Sequence, residues 1–342
     1  MRTLGLTDWR QLHGDYFKGT KVLITGGAGF IGSHLSEALS VLGATVSVID
    51  DLSGGEAANI EPFDRVTLVK ASILDQDTLA RCLAGCRFVF HLAALGSVPR
   101  SVEQPRLFNE VNTTGTLNVL EAAREAKVQR VMFAASSSAY GTNPVPWIED
   151  MPVLPLSPYA ANKVACEALM RAYSNSYGLD TACTRYFNIF GPRQNANSAY
   201  AAVIAAFAKA MLKGERPVIY GDGEQSRDFT FVHNAVHANL LAARHPGTIN
   251  GEVLNVGCGG RVSVNELARV MAKSLGREDL TPTYLPDRAG DIKHSFADLT
   301  KISSTLGYSS IVGFEKGLGV TMDWYRQVLA PAANQVLAPA AK

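Results

Sequence analysis

The 342-residue chain has no apolar run reaching the ~18 residues a spanning helix needs, and its start, with Asp8, Arg10 and Asp15, lacks a signal-peptide core. It has almost no net charge. With 32 basic side chains against 31 acidic ones, no overall field draws it to a polyanion or an anionic membrane, so neither nucleic acid nor membrane is expected as a partner. Its five cysteines (Cys82, Cys86, Cys166, Cys183, Cys258) are odd in number and scattered without Cys-x-x-Cys spacing, which speaks for reduced thiols and against structural zinc. His233 and His237 stand four apart with no third ligand in a recognised pattern, so no metal site is expected. The expectation is a soluble, cytoplasmic protein in which any anionic ligand meets local arginines.

What the chain does have is alternation. Segments 21–25, 45–50, 66–70, 88–92, 130–135 and 181–186 read as strands, and 31–42, 77–84, 109–126 and 158–177 as helices. This order predicts an α/β fold with a Rossmann-type doubly wound parallel sheet, which takes its ligands at the carboxyl ends of strands. Residues 1–19 read as an arm packed on the body. After Asn188 the texture turns to loops and short elements rich in Gly and Arg, as in a smaller C-terminal substrate-binding lobe. The expected division is a main domain over 1–190, to which 228–257 returns, a lobe from 191–227 and 258–328, and a disordered tail over 329–342, where a short repeat runs.

The first strand runs into Gly26-Gly27-Ala28-Gly29-Phe30-Ile31-Gly32 and then a helix. Glycines at 26, 29 and 32 serve a tight turn, close approach of backbone to a pyrophosphate, and packing of helix on strand, which is the pattern of a dinucleotide site. Asp50 ends the second strand, where an acid hydrogen-bonds ribose hydroxyls. It repels a 2′-phosphate, as does Asp51, so NAD is expected rather than NADP.

Ser157 and Pro158 open the helix that Gly178 ends, which puts Tyr159 and Lys163 one turn apart on one face. A phenol titrates near 10, and working close to neutrality takes roughly three units, about 4 kcal/mol. A lysine cation ~4 Å away at an effective dielectric of ~20 contributes about that much. Ser136, ending the strand 130–135, supplies a hydroxyl to share the substrate's proton. Together the motifs point to redox chemistry on a hydroxyl.

These residues occur with His91-Leu92-Ala93-Ala94, Val111-Asn112-x-x-Gly115-Thr116, Ser136-Ser137-Ser138-Ala139-Tyr140-Gly141 and Arg185-Tyr186-Phe187-Asn188, in an order that resembles the extended short-chain dehydrogenase/reductases of the nucleotide-sugar epimerase and dehydratase family. The resemblance runs from 21 to about 324. Through 95–101 and 221–229 the chain is similar to the family's bacterial UDP-N-acetylglucosamine 4-epimerases. The resemblance implies a catalytic Ser136, Tyr159 and Lys163, NAD as cofactor, and a homodimer built on the helices 109–126 and 158–177. It implies further cofactor contacts at Ser72, Ile73, Leu92, Ala93, Ala94, Asn112 and Tyr186, beside Phe30 and Ile31. For a UDP-sugar it implies Ser97, Ser137, Ser138, Asn188, Val203, Val218, Tyr220, Arg227, Arg288, Asp291 and Ser295. Arg193, Arg227 and Arg288 all suit a diphosphate, which demands arginine forks.

Dehydratases of this family carry an aspartate and a glutamate after the catalytic serine. This chain has Ser137 and Ser138, which cannot act as acid and base at ordinary pH, so epimerisation is favoured over elimination. Ser295 stands where galactose-only epimerases hold a tyrosine, leaving space for an N-acetyl group. The expected reaction is 4-epimerisation of UDP-GlcNAc/UDP-GalNAc, with UDP-Glc/UDP-Gal as a second pair. The alternatives are a 4,6-dehydratase, a UDP-glucuronate 4-epimerase and, from another class, a non-catalytic NAD-binding regulator.

Overall fold

The computed structural model describes residues 5–196, 202–287 and 292–329. Its strands in chain order are β1 (Lys21–Thr25), β2 (Thr45–Asp50), β3 (Val66–Lys70), β4 (Phe88–His91), β5 (Arg130–Ser136), β6 (Asp180–Tyr186), β7 (Ile189–Phe190), β8 (Val218–Tyr220), β9 (Ser226–Arg227), β10 (Thr230–Phe231), β11 (Glu252–Val256), β12 (Val262–Ser263), β13 (Thr283–Leu285) and β14 (His294–Ser295). The helices are α1 (Trp9–His13), α2 (Phe30–Val41), α3 (Gln76–Leu83), α4 (Val98–Glu103), α5 (Pro105–Asn109), α6 (Gly115–Glu125), α7 (Pro158–Tyr177), α8 (Val203–Leu212), α9 (Val232–Arg244), α10 (Val264–Leu275), α11 (Thr300–Leu306) and α12 (Phe314–Leu329).

Seven strands form one sheet in the order β11-β6-β5-β4-β1-β2-β3, paired parallel throughout. Alternate side chains of each strand face opposite layers. Val22 and Ile24 pack with Phe17, Leu35, Leu39, Val236 and Leu240 of the arm, α2 and α9, whereas Leu23 joins Leu79, Val119, Val131, Phe133 and Met170 of the α3, α6 and α7 side. The strand order turns back between β1 and β4, the chain running outward to β2 and β3 on one side and to β5, β6 and β11 on the other, so the carboxyl ends of β1 and β4 open a crevice.

Two expectations are corrected. The helix expected over 109–126 begins as a π-helical turn, Glu110–Thr114, preceded by α4 and α5, which sequence reading passed over as loop. The segment after Asn188, expected as loops and short elements, contains the helices α8 to α12. In α9 every residue from Val232 to Ala243 is buried, His233, Asn234, His237 and Asn239 included, so no solvent-facing side exists to reveal a helical period. A separate apolar core of Phe190, Phe207, Met211, Phe229, Leu267, Met271 and Tyr325 holds α8, α10 and α12 together. Of the tail expected over 329–342, Leu329 ends α12 instead, and 330–342 lie outside the described residues.

The arm docks through histidines. His13 Nε2 meets His237 Nδ1 at 3.1 Å and Thr7 Oγ1 meets His233 Nδ1 at 2.7 Å. Farther along, Arg130 donates to Asp180 and to the carbonyls of Ala242 and His245 at the end of α9, while Asp180 accepts the N–H groups of Ile249 and Asn250. One buried ion pair therefore fixes the return of the chain into β11.

Candidate active site

The turn after β1 fits a bound pyrophosphate because it has no room for side chains. Gly26, at φ +71°, would place a Cβ 2.7 Å from the Ala93 nitrogen, and one on Gly32 would lie 2.1 Å from the Gly26 carbonyl oxygen. The α2 N-terminus, Phe30 and Ile31, therefore opens directly into the crevice with the free N–H groups of a first helical turn. Asp50 accepts the N–H of Ala28 and of Leu52, each at 2.9 Å. Burial pushes its carboxyl up, the two N–H bonds oppose this, and Asp51 adds to the rise. The exposed Asp51 caps Ser53 at 2.9 Å. Ser72 accepts the N–H of Leu74, and Ile73 is buried against Gly115. Leu92, Ala93 and Ala94 follow β4, and Asn112 clamps Leu95 through both backbone groups, at 2.8 and 3.1 Å. These residues could hold NAD.

Ser157 Oγ accepts the Ala160 N–H at 3.2 Å and Pro158 starts the first turn of α7. The Ser136 hydroxyl acts on the Tyr159 phenol in the direction that favours its ionisation. Ser138 in turn donates its hydroxyl to Ser136 Oγ at 2.9 Å. Lys163 departs from expectation. Its ammonium donates to the Ala134 carbonyl at 2.7 Å and lies 5.9 Å from the centre of the Tyr159 ring and 4.7 Å from that of Phe133. Burial pushes the lysine down to about 8, and burial pushes the phenol up by more than Ser136 lowers it. The phenol therefore stands above its ordinary value even with the ammonium 5.9 Å from the centre of its ring. Enclosure makes both charges costly, and the ammonium is satisfied by a carbonyl.

Beyond the crevice a cavity of about 270 Å³ is lined by Asn188, Val203, Val218, Tyr220 and Arg227, with Phe207, Gln225 and Phe229. The first five are sequence-predicted positions brought together from four segments. The last three were missed, since neither an apolar residue nor a lone glutamine in a lobe carries a signal of the cavity it lines. Arg227 pairs with Ser295 across β9 and β14, and Asn188 donates to Ser295 Oγ at 3.3 Å, so Ser295 is buried beneath Asn188. Ser97 caps α4 by accepting the Arg100 N–H, and Tyr186 accepts from Asn239 at the end of β6. Ser137 opens the 3-10 turn after β5. Arg193 is corrected as a phosphate candidate. It is spent on a buried ion pair with Glu37 at 2.6 Å and lies over Phe63. Arg288 and Asp291 lie outside the described residues. His233 and His237, the histidines four apart, pair with Thr7 and His13 of the arm.

With this geometry the chain matches a family model, "NAD dependent epimerase/dehydratase family", over residues 22–257. The chain belongs to this family. A UDP-glucose 4-epimerase of Mycolicibacterium smegmatis is 41% identical over 313 residues, covering 90% of this chain and 98% of that protein. A dTDP-glucose 4,6-dehydratase of Streptomyces niveus is 34% identical, with 90% and 93% covered. Among solved structures, a UDP-N-acetylglucosamine 4-epimerase from Methanobrevibacter ruminantium, in complex with UDP-N-acetylmuramic acid, superposes with a TM-score of 0.87 at 42% identity, covering 91% of this chain and 99% of that one. The chain is an enzyme of this NAD-dependent family, and NAD is its cofactor. No described helix is long and apolar enough to cross a membrane.

Proposed function

We propose that the protein is a 4-epimerase of UDP-sugars that interconverts UDP-GlcNAc and UDP-GalNAc, with UDP-Glc and UDP-Gal as a second pair. The observation that carries this reading is the turn beside Tyr159, where Ser136 is followed by two further hydroxyls and no carboxylic acid. Elimination of water needs an acid and a base there, and a serine supplies neither. In support, the relatives named above include 4-epimerases of both sugars.

Tyr159 takes the proton of the sugar 4-hydroxyl, and Ser136, aligned by Ser138, holds that oxygen. When bound, NAD supplies a hydride acceptor and donor and, while oxidised, a positive charge beside the phenol. Lys163 adds its own charge. The 4-keto sugar turns over, anchored through its diphosphate by Arg227 and Asn188, and Tyr159 returns the proton once the opposite face is presented. Arg288 and Asp291 are proposed to close the site, and the homodimer and the two-domain division are proposals of the same standing. No net oxidation occurs, so the enzyme works without added NAD. Incubation with UDP-GlcNAc, UDP-Glc, UDP-GlcA and dTDP-Glc without added cofactor, read by NMR of the products, tests the reading. UDP-GalNAc is expected, and a 4-keto-6-deoxy sugar as the main product refutes it.

A further inference from the structure

The imidazole of His91, at the end of β4, is buried between two threonines. Its Nδ1 lies 2.7 Å from Thr25 Oγ1, and its Nε2 lies 2.9 Å from Thr116 Oγ1. Proton directions follow from the ends of this chain. Thr116 spends its only proton on the Asn112 carbonyl at 2.6 Å, so it must accept from His91, and Nε2 carries the hydrogen. Burial pushes the imidazole down to about 3, which keeps it neutral, so Nδ1 is an acceptor and Thr25 donates to it. Thr25 Oγ1 then accepts the Ala93 N–H at 3.2 Å. Every donor in the sequence Ala93, Thr25, His91, Thr116, Asn112 finds one acceptor in one direction.

Each end of this chain grips the same segment. At one end Thr25 holds Ala93, against whose backbone Gly26 is packed. At the other, Thr116 holds the carbonyl of Asn112, whose amide clamps Leu95. That carbonyl sits in the π-helical turn, which leaves it able to accept side-chain donors, and Cys166 of the Tyr159 helix also donates to it, at 3.2 Å. We infer that His91 is a positioning residue that, as a single fixed tautomer, couples the glycine-rich turn to the π-helical turn and so sets the 92–95 backbone at the dinucleotide crevice. The inference rests on the proposed placing of Leu92, Ala93 and Ala94 at the cofactor, and it goes beyond the catalytic group of Ser136, Tyr159 and Lys163.

Thr25→Val and Thr116→Val keep side-chain shape, and each removes one hydroxyl from the chain together with both of its hydrogen bonds in it. The measurement is the rate at which the holoenzyme releases NAD, well below the melting temperature of every variant. Loss of one hydrogen bond is worth about threefold to tenfold in release. Thr116→Val, whose methyl is remote from the 92–94 backbone, is expected to speed release as much as Thr25→Val does, and the double variant no more than either. Unchanged release in Thr116→Val, or effects that multiply in the double variant, overturn the inference. In protein with ¹⁵N-labelled histidine, the resonance lost in His91→Asn is expected to report an Nε2–H tautomer, and an Nδ1–H tautomer there overturns it as well. These readouts need no sugar substrate, so a failure of the proposed epimerisation leaves them interpretable.

Discussion

At Tyr159 enclosure and reactivity pull in opposite directions, because the burial that excludes water also raises the phenol that has to ionise. Lys163 cannot offset this alone, with its ammonium turned to Ala134 and itself pushed down to about 8. In the proposed mechanism the further positive charge that favours the phenolate is that of oxidised NAD. Tyr159→Phe is expected to lower kcat by ~10² to 10⁴ with NAD still bound, measured by steady-state conversion of UDP-GlcNAc. Ser295 allows a second test. It lies buried under Asn188, and Ser295→Tyr is expected to reduce kcat/KM for UDP-GlcNAc at least about tenfold while sparing UDP-Glc, by loss of room for the N-acetyl group. Equal losses on both sugars would show that position 295 does not sense the 2-substituent.

At the scale of elements, the arm and the return strand β11 are held by polar groups that the core had to enclose. His13 and His233 are pushed down to about 3 and His237 to about 4, in each case chiefly by burial, with Arg244 beside His13 and His237 and Arg193 beside His233. The unfolded chain binds protons on these groups near 6.5, so between 6.5 and about 3 it holds more than the folded one. Stability from the docked arm is thus complete above 6.5 and falls as the pH drops. His13→Gln, which keeps a partner for His237, is expected to flatten the fall of melting temperature between pH 7 and 4.5. The Arg130–Asp180 pair ties the end of α9 to the start of β6 through buried hydrogen bonds. Arg130→Met leaves a buried carboxylate and several carbonyls without their donor, and should cost about 3 to 5 kcal/mol in denaturant unfolding.

For the whole molecule, the proposed homodimer needs an apolar face on the helices of the Tyr159 side. Leu107 on α5 and Leu117 on α6 are exposed, as is Tyr177 at the end of α7. Leu117→Glu is expected to shift the protein from dimer to monomer mass in light scattering, with its helical circular dichroism unchanged. The parallel sheet was legible because buried strands read as short β-branched runs and Gly26, Gly43 and Gly178 punctuate them. The lobe was not, since α8 is apolar on nearly every side and α9 buries polar and apolar residues alike, which leaves no period to read. Local signals determined the glycine turn, the Tyr159-x-x-x-Lys163 helix and the serine turn, each of which is set by residues within a few positions. Where the Lys163 ammonium points, that Arg193 pairs with Glu37, and how His91 joins two turns from 25 to 116 were decided only in three dimensions. Hydrogen bonds and burial there link residues tens of positions apart, and such partners leave no mark on the local sequence.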